Sequence, residues 1–173
     1  MGGESLLRRT ARIAFEAGCA PVFVVLGSQA PQLEAELQSF NARVVHNREW
    51  RDGIASSLRC GLAAVMASQP QPDNLLISVC DQPRLATPVL RELLERHRST
   101  RAKITASGYA GTMGVPAIFS HTIFPELAAL HGDEGARRII VAHQEEVELV
   151  DFPGGDEDID TVEDLRQFGM PRE

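Results

Sequence analysis

The residues in this chain best suited to chemistry are carboxylates that follow or cluster beside apolar runs. Asp81 comes directly after Leu75-Leu76-Ile77-Ser78-Val79-Cys80 and begins Asp81-Gln82-Pro83. Ligands of open α/β sheets bind outside the carboxyl ends of strands, so a carboxylate at this point is placed to hold Mg²⁺ beside a phosphate. The same Asp can instead cap a turn before Pro83. A second acidic group, Asp158-Ile159-Asp160-Thr161-Val162-Glu163-Asp164, lies near the C-terminus. Thr161 and Asp164 have the Thr-x-x-Asp spacing of a capping box, which leaves Asp158 and Asp160 unexplained. Neighbouring acids repel unless a cation or base is close, so Asp160 is a candidate second metal carboxylate, with a solvated acidic loop as the alternative.

Three further segments could face a ligand. Asn47-Arg48-Glu49-Trp50-Arg51-Asp52-Gly53-Ile54-Ala55-Ser56-Ser57 is a polar loop running into a helix of small residues. Small side chains at a helix start allow close approach either of a ligand or of a packing partner. Glycines at 108, 111 and 114 match neither the dinucleotide nor the GxxxxGK[ST] phosphate pattern, and suit a tight connection between strands or a flexible backbone beside a ligand. His131-Gly132-Asp133-Glu134-Gly135-Ala136-Arg137-Arg138 reads as a helix start with Asp133 as N-cap. Its exposed amides and two arginines make either an anion site or an ordinary capped helix. No His stands in a recognisable nucleophile motif, so triad chemistry has no support.

The elements that must position these residues alternate. Residues 4–17 have helical apolar spacing closed by Gly18. Pro21–Gly27 is a continuous apolar run suited to a strand buried on both faces. Helix is expected over 31–40, 56–67, 88–98 (with Thr87 as N-cap and Pro88 in the first turn) and about 134–143. Strands are expected over 43–46, 75–80, 103–106, 116–119 and 146–152. This alternation implies a three-layer, Rossmann-like α/β domain with a mostly parallel sheet.

Length and composition agree. The 173 residues, 43% hydrophobic and 24% charged, suit a single folded domain. The net charge of −7 argues against a general nucleic-acid binder. The acidic excess is confined to residues 145–173, and the remainder is slightly basic. Lys103 is the sole lysine, and Cys19, Cys60 and Cys80 are too few and too scattered for a disulfide set or zinc knuckle. No apolar run approaches a membrane span and no leader pattern is present, so a cytoplasmic location with no membrane partner is expected.

Taken in order, the motifs resemble the MobA-like NTP transferase family, and within it the molybdenum cofactor cytidylyltransferase type. The resemblance rests on Gly3-Glu4-Ser5-Leu6-Leu7, Val24-Val25-Leu26-Gly27, Asn47-x-x-Trp50-x-x-Gly53-x-x-x-Ser57-x-x-x-Gly61, Asp81-Gln82-Pro83, Gly111-x-x-Gly114-x-Pro116, Gly132-Asp133-x-Gly135-Ala136-Arg137 and Asp158-x-Asp160-Thr161-x-x-Asp164-Leu165. It implies a nucleotide-diphospho-sugar transferase-like fold and transfer of CMP, or another nucleoside monophosphate, from its triphosphate to the terminal phosphate of molybdopterin or its molybdenum form. By that resemblance Asp81 and Asp160 hold Mg²⁺. Asn47, Gly53, Ser57 and Gln82 lie along the nucleotide, and Gly114, Pro116, Asp133 and Arg137 face the acceptor. The family pattern begins with a strand and a Leu-Ala-Ala-Gly-x-Ser-x-Arg-Met-Gly-x-x-Lys type loop that is not found in these residues, and Cys80 replaces a Gly. Residues 1–173 therefore read as one family domain truncated at its N-terminus, with its first strand missing and impaired activity expected. The exposed sheet edges would favour a homo-oligomer. The alternative is a non-catalytic molybdenum-cofactor-binding module of the same fold.

Overall fold

Helix α1 (Leu6–Ala17) begins where Ser5, in extended conformation, accepts the Arg8 amide on its hydroxyl oxygen, and it stops at Gly18, whose φ is +91°. Its apolar stripe buries Ala11 and Ile13, while Arg12 lies outside between Glu4 and Glu16. The structure, a computed structural model, describes residues 4–68, 70–159, 161, 163, 164 and 168.

Two sheets follow. Strands β1 (Val22–Leu26) and β2 (Ala42–His46), joined through α2 (Ala30–Glu36), pair in parallel from Val22↔Ala42 to Leu26↔His46. The second sheet contains β3 (Asn74–Ile77), β4 (Ile104–Tyr109), β5 (Thr112–Ser120) and β6 (Val147–Asp151) in the order β3-β5-β4-β6. Strand β5 runs antiparallel to both β3 and β4, whereas β4 and β6 are parallel. The α/β class is the one the alternation implies, but the sheets are mixed rather than mostly parallel. The cause is local: Ala110 and Gly111 both adopt positive φ, 47° and 72°, so the chain folds straight back between β4 and β5 as a hairpin instead of crossing over.

Among the described residues the two sheets share no ladder, and helices join them. Helix α3 (Ile54–Met66) places Gly61 against Val25 of β1 and sends Ala55, Leu58 and Leu62 into a cluster with Ile77, Ala117 and Phe119. Helices α5 (Phe124–Ala128) and α6 (Ala136–Ala142) complete that layer. On the other face of β5, Ile118 meets Ile13 of α1, Leu76 of β3, and Leu90 and Leu93 of α4 (Thr87–Thr100). Successive β5 side chains thus feed opposite cores, which gives the three layers. Strand β1, expected to be buried on both faces, is only half-buried except at Leu26.

Some boundaries differ from expectation for tertiary reasons. Thr87 is not the N-cap of α4: Ala86 takes that position, and the Thr87 hydroxyl donates to Glu16 Oε2 at 2.7 Å. Helix α6 starts after Gly135, not Asp133. The short helix α5 lacked enough periodic residues to be expected at all. Cys19, Cys60 and Cys80 are free thiols, and no helix among the described residues is long and apolar enough to cross a membrane.

One histidine belongs to the core. His97 of α4 is 6% exposed, with Nε2 2.9 Å from Asn74 Oδ1 and Nδ1 2.9 Å from Thr105 Oγ1. The Asn74 oxygen can only accept, so Nε2 carries the proton and Nδ1 accepts from the Thr105 hydroxyl. Burial lowers the His97 pKa below its ordinary 6.5, so the unfolded chain takes up a proton before the folded one does. Stability should therefore be full above about pH 6.5 and decline as pH falls from there toward the depressed folded value, by at most about 1.4 kcal/mol per pH unit for this proton. Urea midpoints between pH 8 and pH 5 check this. His97→Gln should be less stable at pH 8 and show a flatter acid slope.

Candidate active site

The registers define one end of the second sheet. Ile77 of β3 pairs with Ala117, so the carboxyl end of β3 points toward the first half of β5. Tyr109 at the end of β4 pairs with Thr112, and Gly108 pairs with Asp151 at the end of β6. The carboxyl ends of β3, β4 and β6 therefore meet the start of β5, and most of the candidate residues collect there.

Asp81 is half-buried in the loop after β3. Its backbone carbonyl accepts the Ile159 amide at 2.9 Å, which fastens the acidic C-terminal loop to the Asp81 loop. Asp158 is carried to the site by this contact. Asp160 itself lies outside the described residues. Thr161 and Asp164 form the expected capping box, with the Thr161 amide 2.8 Å from Asp164 Oδ2 and the Asp164 amide 3.3 Å from Thr161 Oγ1.

Gln82 is 3% exposed, and its Nε2 donates to the carbonyls of Val115 at 3.1 Å and Gly155 at 2.7 Å. It acts here as a clamp between β5 and the 155–158 loop. Pro116 is also buried, and its carbonyl accepts the Ser107 hydroxyl at 2.7 Å. Gly114 is buried beneath Tyr109: a Cβ there would lie 2.0 Å from the phenol oxygen. Arg137, exposed on α6, donates from Nη2 to Thr112 Oγ1 at 2.7 Å.

The other candidates form an adjoining unit. Asn47 follows β2, is 5% exposed, and donates from Nδ2 to Ser56 Oγ at 2.8 Å and Ser57 Oγ at 3.0 Å. Its Oδ1 accepts the Glu49 amide, closing a turn that sets Trp50 against Gly27 at the end of β1. Gly53 has φ +89°, and a Cβ on it would lie 2.3 Å from the Gly132 carbonyl oxygen and 2.7 Å from Asp133 Oδ1. The Ala55 amide donates to the same carbonyl at 3.0 Å. Asp133 thus lies beside the start of α3, and α6, beginning at Ala136, takes Gly135 and not Asp133 as its N-cap.

Tyr109, the chain's single tyrosine, is a member of the site that residue spacing did not single out. Its only sequence signal was its place in the segment leading to Gly111 and Gly114. Burial pushes its pKa above the ordinary 10, with Asp158 and Asp156 adding to the rise and Arg137 and Gln82 opposing it. A neutral phenol therefore stands among both charges.

Among the described residues no cluster of three or more His, Cys, Asp or Glu side chains forms a metal cage. The donor set suits a hard cation that keeps water and phosphate oxygens as ligands beside one or two carboxylates, as Mg²⁺ or Mn²⁺ does.

The fold is that of a nucleotidyltransferase: a nucleotidyl transferase from Methanothermobacter thermautotrophicus superposes with a TM-score of 0.78 at 20% identity, over 96% of this chain and 80% of that one. The chain belongs to the MobA-like NTP transferase domain family, whose model matches residues 1–147. It is 30% identical to the nicotine blue oxidoreductase of Paenarthrobacter nicotinovorans over 94% of this chain and 82% of that protein. The Mycobacterium tuberculosis H37Rv protein Rv0371c in complex with manganese superposes with a TM-score of 0.74 at 28% identity, covering 94% of this chain and 85% of that one.

The Gly53 contact is testable against an internal control. Gly53→Ala combines a left-handed φ with a backbone collision and should cost about 2 kcal/mol or more. Gly111→Ala has φ +72° with open space around it and should cost about 1 kcal/mol. Equal urea midpoints for the two variants would remove the Gly53–Gly132 contact from the account.

Proposed function

We propose that this chain is a nucleotidyltransferase that moves CMP, or another nucleoside monophosphate, from its triphosphate to the terminal phosphate of a molybdopterin-type acceptor. An acceptor phosphate oxygen forms a bond to the α-phosphorus, the bond to the bridging β-phosphate oxygen breaks, and pyrophosphate leaves. The Ile159–Asp81 backbone hydrogen bond supports this reading most, because it joins the two acidic segments beside Gly114 and Arg137. Family membership and the manganese complex of Rv0371c support it from outside.

In this reading Asp81 and Asp160 hold Mg²⁺, with Asp158 adjacent. The cation supplies charge neutralisation between the attacking and transferred phosphates. Gly53 and Ser57 offer close backbone and a hydroxyl to the nucleotide, with Asn47 holding that surface in place and Gln82 bracing the Val115 and Gly155 backbone. Gly114, Asp133 and Arg137 form the acceptor wall, with Pro116 fixing the β5 backbone behind it. The chain acts chiefly by positioning and by neutralising charge, as phosphoryl-transfer sites do. The non-catalytic alternative is less well supported, since a pterin-binding module has no use for joined carboxylates.

The test is transfer from α-labelled CTP to molybdopterin with Mg²⁺. Asp81→Asn should lower transfer by about 100-fold or more while leaving the fold intact by circular dichroism. Transfer unaffected by Asp81→Asn would contradict the reading.

A further inference from the structure

The face of the second sheet that carries α6 opens to solvent at its carboxyl end. Paired residues share a face, so the registers stack side chains in rows across β5, β4 and β6. Phe119, Ile104 and Val147 form one row, Ala117, Ala106 and Leu149 the next, and Met113, Gly108 and Asp151 the last. Phe119, Ile104 and both alanines are fully buried, whereas Leu149 is 45% exposed. Asp151 is exposed as well, and Met113 and Gly108 are half-buried. Gly108 lies inside β4, where glycine weakens a strand and marks close approach by another group. Neither conformation nor packing within this chain accounts for it. Its φ is not in the left-handed region, and a Cβ there would meet nothing closer than the Val150 carbonyl oxygen at 3.8 Å and Leu149 Cδ1 at 3.9 Å.

We propose that this shelf binds the flat, fused nitrogen heterocycle of the acceptor, with the ring face on Gly108, the Leu149 and Met113 side chains along its borders, and its N–H donors on the Asp151 carboxylate. This rests on the nucleotidyltransferase reading above. Strands about 4.8 Å apart make the row about 10 Å wide, which suits a two-ring heterocycle lying across it. Bare backbone lets the ring lie flat, and a thioether favours contact with an aromatic edge. Apolar borders accept any flat ring. A carboxylate selects one that presents two parallel N–H groups, as an amino-oxo pyrimidine ring does. The shelf is continuous with the candidate site: Ala136 joins the cluster against which Met113 packs, and Arg137 donates to Thr112, the neighbour of Met113. The heterocycle and the acceptor phosphate thus take opposite ends of one surface, Asp151 at one and Arg137 at the other.

The probe is pterin, titrated against the folded chain by quenching of its fluorescence, with lumazine, which carries a carbonyl in place of the amino group of pterin, as the comparison. Wild-type chain should bind pterin about tenfold more tightly than lumazine. Gly108→Val covers the shelf with a residue that strands favour, and should weaken both ligands about tenfold with the thermal midpoint unchanged or raised. Asp151→Asn should weaken pterin about tenfold and remove the preference over lumazine. Each variant should raise acceptor KM in the transfer assay and leave CTP KM unchanged. Should Gly108→Val fail to fold, the exposed Asp151→Asn variant decides. Wild-type chain that binds no pterin, equal affinity for pterin and lumazine, or pterin binding that neither variant weakens would each overturn the inference. The nucleotidyltransferase reading stands or falls separately, on transfer by Asp81→Asn.

Discussion

The geometry of the site depends on one buried amide. Gln82 sends its two N–H groups to the carbonyls of Val115 and Gly155, so a single side chain joins the loop after β3, the first half of β5 and the loop after β6. Each of those backbone acceptors would otherwise need a partner, and leaving one without a donor in the interior costs about 1 to 3 kcal/mol. The clamp is therefore self-enforcing: the loops satisfy Gln82 and Gln82 satisfies the loops. Asp81 immediately precedes it, Gly155 leads into the acidic segment, and Val115 follows Gly114. Aromatic packing of Tyr109 on Phe152 fills the remaining space and brings the hydroxyl over Gly114.

The same economy holds at the other unit. Asn47 ties the end of β2 to the start of α3, and Gly53 lets the Gly132–Asp133 turn lie directly on that helix start. Small residues are required here by contact. Gly27 accommodates Trp50, Gly61 accommodates Val25, and Gly53 accommodates a carbonyl. With no ladder between the two sheets among the described residues, α1 and α3 carry the connection, and the close α3–β1 packing at Gly61 is what allows them to.

What could be read in the sequence was what local chemistry determines. The first helix closed by Gly18, the Thr161–Asp164 capping box, the strand before Asp81 and the tight turn near Gly111 all depend on residues a few positions apart. What could not be read depends on distant partners. Thr87 leaves its expected cap for Glu16, Asp133 lies beside Gly53, 80 positions away, and Gln82 acts through carbonyls 33 and 73 positions away. Gln82 stands out in the sequence only through the family resemblance, and its buried hydrogen bonds appear only in the fold. Tyr109 carried no pattern of its own, because its importance arises from what three separate loops place around it.

In the proposed function the Asp81 loop, the start of β5 and the 155–159 loop form one divalent-cation site. Paramagnetic broadening of amide resonances by substoichiometric Mn²⁺ tests it most directly. Residues 80–83, 113–115 and 155–159 should broaden together, and Asp81→Asn should abolish the effect at all three segments. Broadening confined to surface acids such as Glu145 and Glu146, with the three segments unaffected, would contradict it.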